Sequence, residues 1–88
     1  MELDKNMEVV LRAVNSAAIW NRTLDYEIRL ETYKYLNHIS KEEFDSALHA
    51  LEAMGLIKMT DNHYMWGNEY RMTDRGYAVL RILRQQHP

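Results

Sequence analysis

The sequence predicts a mainly helical α+β domain in which three helices are followed by a β-hairpin and a last helix. Three observations support this. Apolar residues recur with a helical period in three segments before Gly55, the period then falls to about two, and it becomes helical again after Thr73. With 88 residues the chain is long enough for one independent core but not for two, so we expect residues 1–88 to form a single domain.

Two helices are predicted in the N-terminal half. The first covers about residues 5–18, can be capped by Asp4, and has an apolar stripe at positions i, i+3, i+4 and i+7 formed by Met7, Val10, Leu11 and Val14. Residues 19–24 have no helical period and are predicted as a loop or very short strand. The second helix covers about residues 25–36, with Asn37 able to close it in a left-handed conformation. Its predicted inner side consists of Ile28, Thr32, Tyr35 and Leu36.

The third helix, residues 40–54, has the clearest boundaries. Ser40 and Glu43 are spaced as in a capping box, which starts a helix. Gly55 followed by the apolar Leu56 predicts a Schellman motif, which ends one. Between these signals the apolar positions keep a strict helical stripe, made of Phe44, Ala47, Leu48, Leu51 and Met54.

The segment 56–72 is predicted as a β-hairpin. Residues 56–60 and 69–72 alternate apolar and polar side chains as strands do, and residues 61–68 between them are rich in turn formers. The aromatic residues Tyr64 and Trp66 fall in this tip. Both could be exposed there, or the alternation could turn one of them inward to cover the core.

The last helix is predicted over residues 73–86, with Thr73 and Asp74 at its start. The chain has a net charge of −2, and the charges are unevenly distributed. From Thr73 to the end there are three bases and one acid, whereas the third helix contains one base and four acids. Because the DNA backbone favours Lys and Arg, the charge of the third helix argues against its binding DNA directly.

Several classes of function are not expected. The chain contains no Cys, and its four His residues are too widely spaced for a metal pair on one element: they are His38, His49, His63 and His87. The acids of the third helix lack an accompanying nucleophile or phosphate-binding loop, and capping explains Ser40. We therefore expect no enzyme activity, no cofactor and no metal. No secretory signal and no apolar run of about 20 residues is visible, which indicates a soluble cytoplasmic protein without a membrane segment.

Motifs in the C-terminal two thirds of the sequence resemble those of a known protein family. In order, they are Ser40, Phe44, Leu48, the run Leu51-Glu52-Ala53-Met54-Gly55-Leu56-Ile57, and Thr73-Asp74-Arg75-Gly76. These motifs and the order of the predicted elements resemble the winged helix-turn-helix domain, and are most similar to those of the MarR and PadR transcriptional regulators. The resemblance covers about residues 24–83. It implies a sequence-specific regulator that binds double-stranded DNA.

In domains of this kind the helix 40–54 would be the recognition helix in the major groove, and the tip 61–68 would reach a minor groove or phosphates. The resemblance thus implies a set of candidate DNA contacts, which are Lys41, Ser46, His49, Lys58, Tyr64 and Arg71. His49 could equally be an idle surface residue, and Lys58 and Arg71 ordinary surface charges. The acidic outer face of the helix suggests an alternative function, a winged-helix module that binds a basic protein partner.

A homodimer is also predicted. The last helix carries an aliphatic stripe of Val79, Leu80, Ile82 and Leu83. Together with the stripe of the first helix, this is more apolar surface than one small core needs. A dimer through both terminal helices would bury the surplus, and two-fold symmetry would suit a palindromic DNA site.

Overall fold

The computed structural model describes residues 3–86 and has the predicted order of elements. Four helices surround one two-stranded antiparallel sheet. The elements are α1 (Lys5–Ile19), α2 (Asp25–Thr32), α3 (Lys41–Ala53), β1 (Ile57–Tyr64), β2 (Gly67–Met72) and α4 (Asp74–Gln86). The α+β class is therefore confirmed.

Helix α1 begins and ends with side-chain and backbone caps. Asp4 Oδ1 accepts a hydrogen bond from the Met7 amide at 2.8 Å, as predicted. At the other end, the Arg22 amide donates to the Ala17 carbonyl at 3.0 Å, and Asn21 has a left-handed φ of 56°. This is the Schellman arrangement, in which asparagine takes the place of glycine. The left-handed asparagine predicted at position 37 is therefore found at position 21.

Helix α2 ends at Thr32, four residues earlier than predicted. Beyond it the Lys34 and Tyr35 amides bond to carbonyls three residues back rather than four, which tightens the chain into turns. This changes which side chains face inward. Tyr35, predicted on the buried side, is mostly exposed, whereas Ile28 and Thr32 are fully buried. The Thr32 hydroxyl is satisfied there by donating to the Ile28 carbonyl at 2.8 Å.

The boundaries of α3 agree with its sequence signals. Ser40 Oγ accepts from the Glu43 amide at 3.0 Å while Glu43 Oε1 accepts from the Ser40 amide at 2.9 Å, which is the capping box. At the C-terminus Gly55 has a φ of 74°, and the Leu56 amide donates to the Leu51 carbonyl at 3.0 Å. The predicted Schellman ending is confirmed.

The hairpin has longer strands than predicted. Its strands continue to Tyr64 and from Gly67, so the turn contains only Met65 and Trp66, and most of the expected tip 61–68 belongs to the ladder. The register shifts between Met59 and His63, where β1 bulges. The segment before α2 joins the sheet through an isolated bridge between Leu24 and Glu69, which agrees with the short strand considered for residues 19–24.

The core lies between α1, α2, α3 and the base of the hairpin. Its members are apolar side chains of all six elements and the links between them, including Val10, Leu11, Val14, Ile28, Phe44, Leu48, Leu51, Leu56, Ile57, Tyr70 and Leu80. Helix α4 is held at its start by Thr73, whose hydroxyl donates to the Gly55 carbonyl at 2.6 Å and accepts from the Gly76 amide at 3.0 Å. Within residues 3–86 no helix is long and apolar enough to cross a membrane.

Candidate nucleic-acid interface

Helix α3 presents a polar face because its apolar stripe is used in the core. Phe44, Leu48 and Leu51 are almost completely buried, so the side chains on the opposite side of the helix point outward. Of the candidate residues on this helix, Lys41, Ser46 and His49 are all exposed. The capping box fixes the first turn of α3, from which Lys41 extends.

Two of the four acids on α3 are already engaged. Asp45 Oδ2 lies 2.7 Å from Lys41 Nζ, and the hydrogen bond and charge of Asp45 raise the pKa of the lysine. Glu43 accepts the hydrogen bond from the Ser40 amide, which lowers the pKa of its carboxyl group. The acidity counted from the sequence is thus partly neutralised, but the one base of the helix is itself occupied by Asp45.

The remaining candidates on α3 differ in their surroundings. His49 Nδ1 lies 4.0 Å from Glu52 Oε1, a distance at which the two attract each other when the imidazole is protonated. Ser46 lines a shallow groove of about 430 Å³ between α3 and the start of α1, together with Asp4, Asn6 and Glu42. The groove is lined by three acids, Asp4, Glu42 and Glu43, which make it unfavourable for a phosphate.

The stem of the hairpin places two cations side by side. Lys58 and Arg71 are direct cross-strand partners, and both are exposed. Their neighbours Ile57 and Tyr70 are buried, so the alternation of the strands turns the two cations to the outer face. Arg71 Nε is 3.7 Å from Glu69 Oε1, whereas the residues described provide no ion pair for Lys58.

Glu69 organises the bulge in the hairpin. Its Oε1 accepts hydrogen bonds from Thr60 Oγ1 and Asn62 Nδ2, each at 2.9 Å. The bonds from Asn62 and Thr60 lower the pKa of Glu69. On the neighbouring position the Tyr70 amide donates to the Thr23 carbonyl at 2.9 Å, which ties the stem to the body of the domain. The hairpin is therefore fixed at its base and clamped at its bulge.

The hairpin tip is strongly apolar. Tyr64 is 47% exposed, Met65 90% and Trp66 66%. Neither aromatic side chain is turned into the core, so the first of the two possibilities for Tyr64 and Trp66 applies. Tyr64 pairs with Gly67 at the last rung of the ladder, and the two-residue turn between them places all three large side chains at the end of the hairpin.

The structure thus divides the six candidates into two groups. One is on α3 and consists of Lys41, Ser46 and His49; the other is on the hairpin and consists of Lys58, Tyr64 and Arg71. The hairpin group is joined by Trp66, and it combines accessible positive charge with exposed aromatic surface. Among the residues described, no set of three His, Asp or Glu side chains could hold a metal ion.

Sequence reasoning missed a second exposed apolar region, an open groove of about 660 Å³ between the end of α1 and α2. The most exposed apolar side chains that line it are Trp20 (69% exposed) and Leu30 (59% exposed). Arg22, Glu27, Glu31 and Lys34 supply charges of both signs along its edges. The one signal of this groove in the sequence was the loss of helical period at Ile19 and Trp20, which places both apolar residues outside the buried stripe of α1.

No protein-family model matches the chain, and no curated protein matches it significantly. Among solved structures, the viral winged-helix protein SSV1 F-93 is similar over 98% of this chain and 93% of its own, with a TM-score of 0.63 and 13% sequence identity. A likeness at this identity concerns the fold, and the narrower similarity to MarR and PadR regulators stays a prediction. The chain has the winged-helix fold, in which α1, α2 and α3 are followed by the wing β1–β2 and by α4.

Proposed function

We propose that this winged-helix protein binds double-stranded DNA and acts, without enzyme activity, as a small cytoplasmic transcriptional regulator. The fold supports the proposal because winged helices commonly place a helix in the major groove and a hairpin against the neighbouring backbone. Fold alone does not decide function, so the argument depends on the surface of the wing.

The observation that carries the proposal is the pairing of Lys58 with Arg71 across the wing. Like charges directly opposite each other in a sheet are destabilising, so this arrangement does not serve the fold. An anionic ligand lying on the outer face would remove the repulsion. Arg71 is partly compensated by Glu69 at 3.7 Å, which leaves Lys58 as the less compensated cation. Phosphates of a DNA backbone fit a site of this kind.

The test is the salt dependence of binding to random duplex DNA. We expect affinity to fall steeply with salt, and Arg71→Ala to reduce the slope of log K against log salt by about 0.9, the value for one lost phosphate contact. Arg84→Ala is the matched control, because it removes the same charge from the exposed C-terminal turn of α4. Equal slopes for the wild-type protein and for both Arg71→Ala and Lys58→Ala would mean that the cations of the wing do not contact DNA.

The acidic face of α3 supports a second candidate, a module for binding a basic protein partner. Glu42 is exposed, and Glu52 is compensated within the described residues only by His49, at 4.0 Å, when that imidazole is protonated. The same titration separates the two functions. A protein-interaction module should bind random DNA negligibly even at low salt, whereas a DNA-binding protein should bind it measurably under those conditions.

We also propose a homodimer through the terminal helices, on a narrower basis than the sequence suggested. The stripe of α1 is buried in the core of its own chain except for Met7, which is partly buried, and Leu80 of α4 is buried there too. What remains exposed is Ile19 and Trp20 at the end of α1, with Tyr77 and Ile82 on α4. Sedimentation at micromolar concentration tests the proposal, and a monomer that persists at the highest concentrations would contradict it.

A further inference from the structure

We propose that the tip of the wing, Tyr64-Met65-Trp66, is an apolar wedge that enters the minor groove of duplex DNA and partly unstacks one base step. The proposal rests on the proposed DNA binding and specifies how the wing would use it. In this arrangement Met65 enters the groove first, because it is the most exposed large hydrophobic side chain of the described residues. The two aromatic rings follow on either side.

The composition of the tip is not explained by folding. Short hairpin turns are normally made from Gly, Asn and Asp, which provide the backbone conformations at little cost. Here the turn residues are Met65 and Trp66, with Tyr64 beside them, and all three leave much of their apolar surface in water. Three adjacent large apolar side chains at the extremity of a domain favour a contact with another molecule.

A wedge must also be stiff, and the wing has the features that make it so. Tyr64 pairs with Gly67 and His63 with Asn68, so the ladder is closed up to the turn. Behind these rungs, Glu69 holds both Thr60 and Asn62 across the bulge. The backbone bond from Tyr70 to Thr23 then anchors the stem to the domain. Pressing the tip against a base step would therefore transmit force to the body of the protein.

The chemistry of the wing favours DNA as the occupant. Met is one of the side chains that proteins insert between base pairs, and aromatic rings stack on bases of any sequence. The cations of the stem are suitably placed for the flanking backbone, since five residues of strand separate Trp66 from Arg71, which is roughly 16 Å. Phosphates held by Lys58 and Arg71 would supply the attraction, and the tip would supply the deformation.

The experiment uses the two tryptophans of the chain. Trp20→Phe changes an exposed residue outside the wing and leaves Trp66 as the one fluorescent tryptophan. This protein is titrated with a short duplex of TA steps, which kink easily, in which 2-aminopurine replaces some adenines. We expect Trp66 emission to be quenched by stacking and 2-aminopurine emission to rise as its base is unstacked.

Two variants identify the wedge. In the Trp20→Phe background, Met65→Ala should abolish most of the rise in 2-aminopurine emission at saturation without changing the salt slope, because it removes no charge. In the wild-type background, Trp66→Ala should weaken binding about tenfold, as for the loss of one base stack. Tyr35→Ala is the control, since it removes an exposed aromatic side chain from the turns after α2, away from the wing and from the proposed dimer surface. It should change neither emission nor affinity.

Failure of the wedge and failure of DNA binding give different results. Salt-dependent binding without a rise in 2-aminopurine emission would overturn the wedge and leave the proposed function in place. Absence of binding even at low salt would overturn both. A blue shift of Trp66 emission on vesicles of phosphatidylcholine and phosphatidylserine, with no response to DNA, would overturn the wedge and assign the tip to a lipid surface.

Discussion

Replacing Gly76 by alanine tests how the start of α4 packs against the link between α3 and β1. Gly76 is buried in the first turn of α4, and a Cβ at this position would overlap the carbonyl oxygen of Leu56. It would also lie 3.0 Å from the carbonyl carbon of Leu56 and 3.2 Å from Met72 Cε. The Leu56 oxygen accepts a hydrogen bond from the Thr73 amide at 3.1 Å. Moving it away would therefore weaken the link between the wing and α3.

The size of the effect follows from two opposing contributions. Alanine is better than glycine in a helix by about 1 kcal/mol. Overpacking of a tight contact typically costs about 1 to 3 kcal/mol, and here the obstacle is a backbone atom rather than a flexible side chain. Loss of the Thr73 hydrogen bond adds about 1 kcal/mol. We therefore expect Gly76→Ala to lower the free energy of unfolding by about 1 to 3 kcal/mol, and the Tm by about 4 to 24 °C.

Urea and thermal unfolding followed by circular dichroism measure this change. Gly55→Ala is the matched control, because Gly55 has a φ of 74° but nothing within 4 Å of an added Cβ. Its loss, about 1 to 2 kcal/mol, should come from backbone strain alone. The reasoning would be refuted if Gly76→Ala were as stable as the wild-type protein, since the gain in helix propensity would then meet no steric opposition.

Two further predictions concern caps and clamps. Ser40→Ala should lower the free energy of unfolding by about 1 kcal/mol by removing the cap of α3. Ser46→Ala on the same helix is the control and should leave the free energy of unfolding nearly unchanged. Equal urea midpoints for the two variants would contradict the capping box. The pKa of Glu69 is lowered in the folded protein by Asn62 and Thr60, so the stabilisation that its carboxylate provides is complete above the unfolded-state pKa and is lost as the pH falls through the folded-state value. The difference in unfolding midpoint between the wild-type protein and Glu69→Gln should accordingly shrink between pH 7 and pH 3, and a constant difference would exclude this role.

Features fixed by neighbours in the sequence could be predicted. The capping box joins Ser40 to Glu43, and the Schellman ending joins Leu51 to Leu56, so each signal lies within one or two helical turns. The glycine at position 55 marks the left-handed residue because it tolerates that conformation at little cost. For these reasons the bounds of α3 could be derived from the sequence alone.

Features that depend on partners distant in the sequence could not be predicted. Part of the segment 61–68, predicted as the hairpin tip, is strand because His63 and Tyr64 pair with Asn68 and Gly67. The bulge behind these pairs is held by the hydrogen bond between Glu69 and Thr60, which are nine residues apart. Turn-forming composition gave the opposite prediction. Asn21 and Asn37 both follow a helical stripe, and composition does not reveal that the left-handed residue is Asn21.

The sequence predicted which residues belong to the candidate site but not how they are arranged in space. Counting charges identified the acidity of α3, and position along the wing identified Lys58 and Arg71. The sequence did not show that the two cations face each other across the strands, since the bulge sets the register. Counting charges also did not show that Lys41 forms an ion pair with Asp45.

The pairing of Lys41 with Asp45 leads to a prediction about the conflict between fold and charge. Asp45 Oδ2 is 2.7 Å from Lys41 Nζ, so α3 contributes no free cation to a phosphate. Asp45→Asn removes a negative charge from the face and also releases the lysine. If α3 approaches the DNA backbone, this variant should bind random duplex more tightly than the wild-type protein, with a salt slope steeper by about 0.9.

Two companion variants separate release of the lysine from the simple loss of an acid. Glu42→Gln removes the same charge from the same turn, but Glu42 forms no ion pair with Lys41, so affinity should rise while the slope stays that of the wild-type protein. Lys41→Ala combined with Asp45→Asn should cancel the steeper slope, because the released cation is then missing. All of these changes lie on the exposed face of α3, so the unfolding midpoint should move little. If affinity and slope stay unchanged in all three variants, α3 lies away from the phosphates, and its acidic face is the better candidate for docking a basic protein.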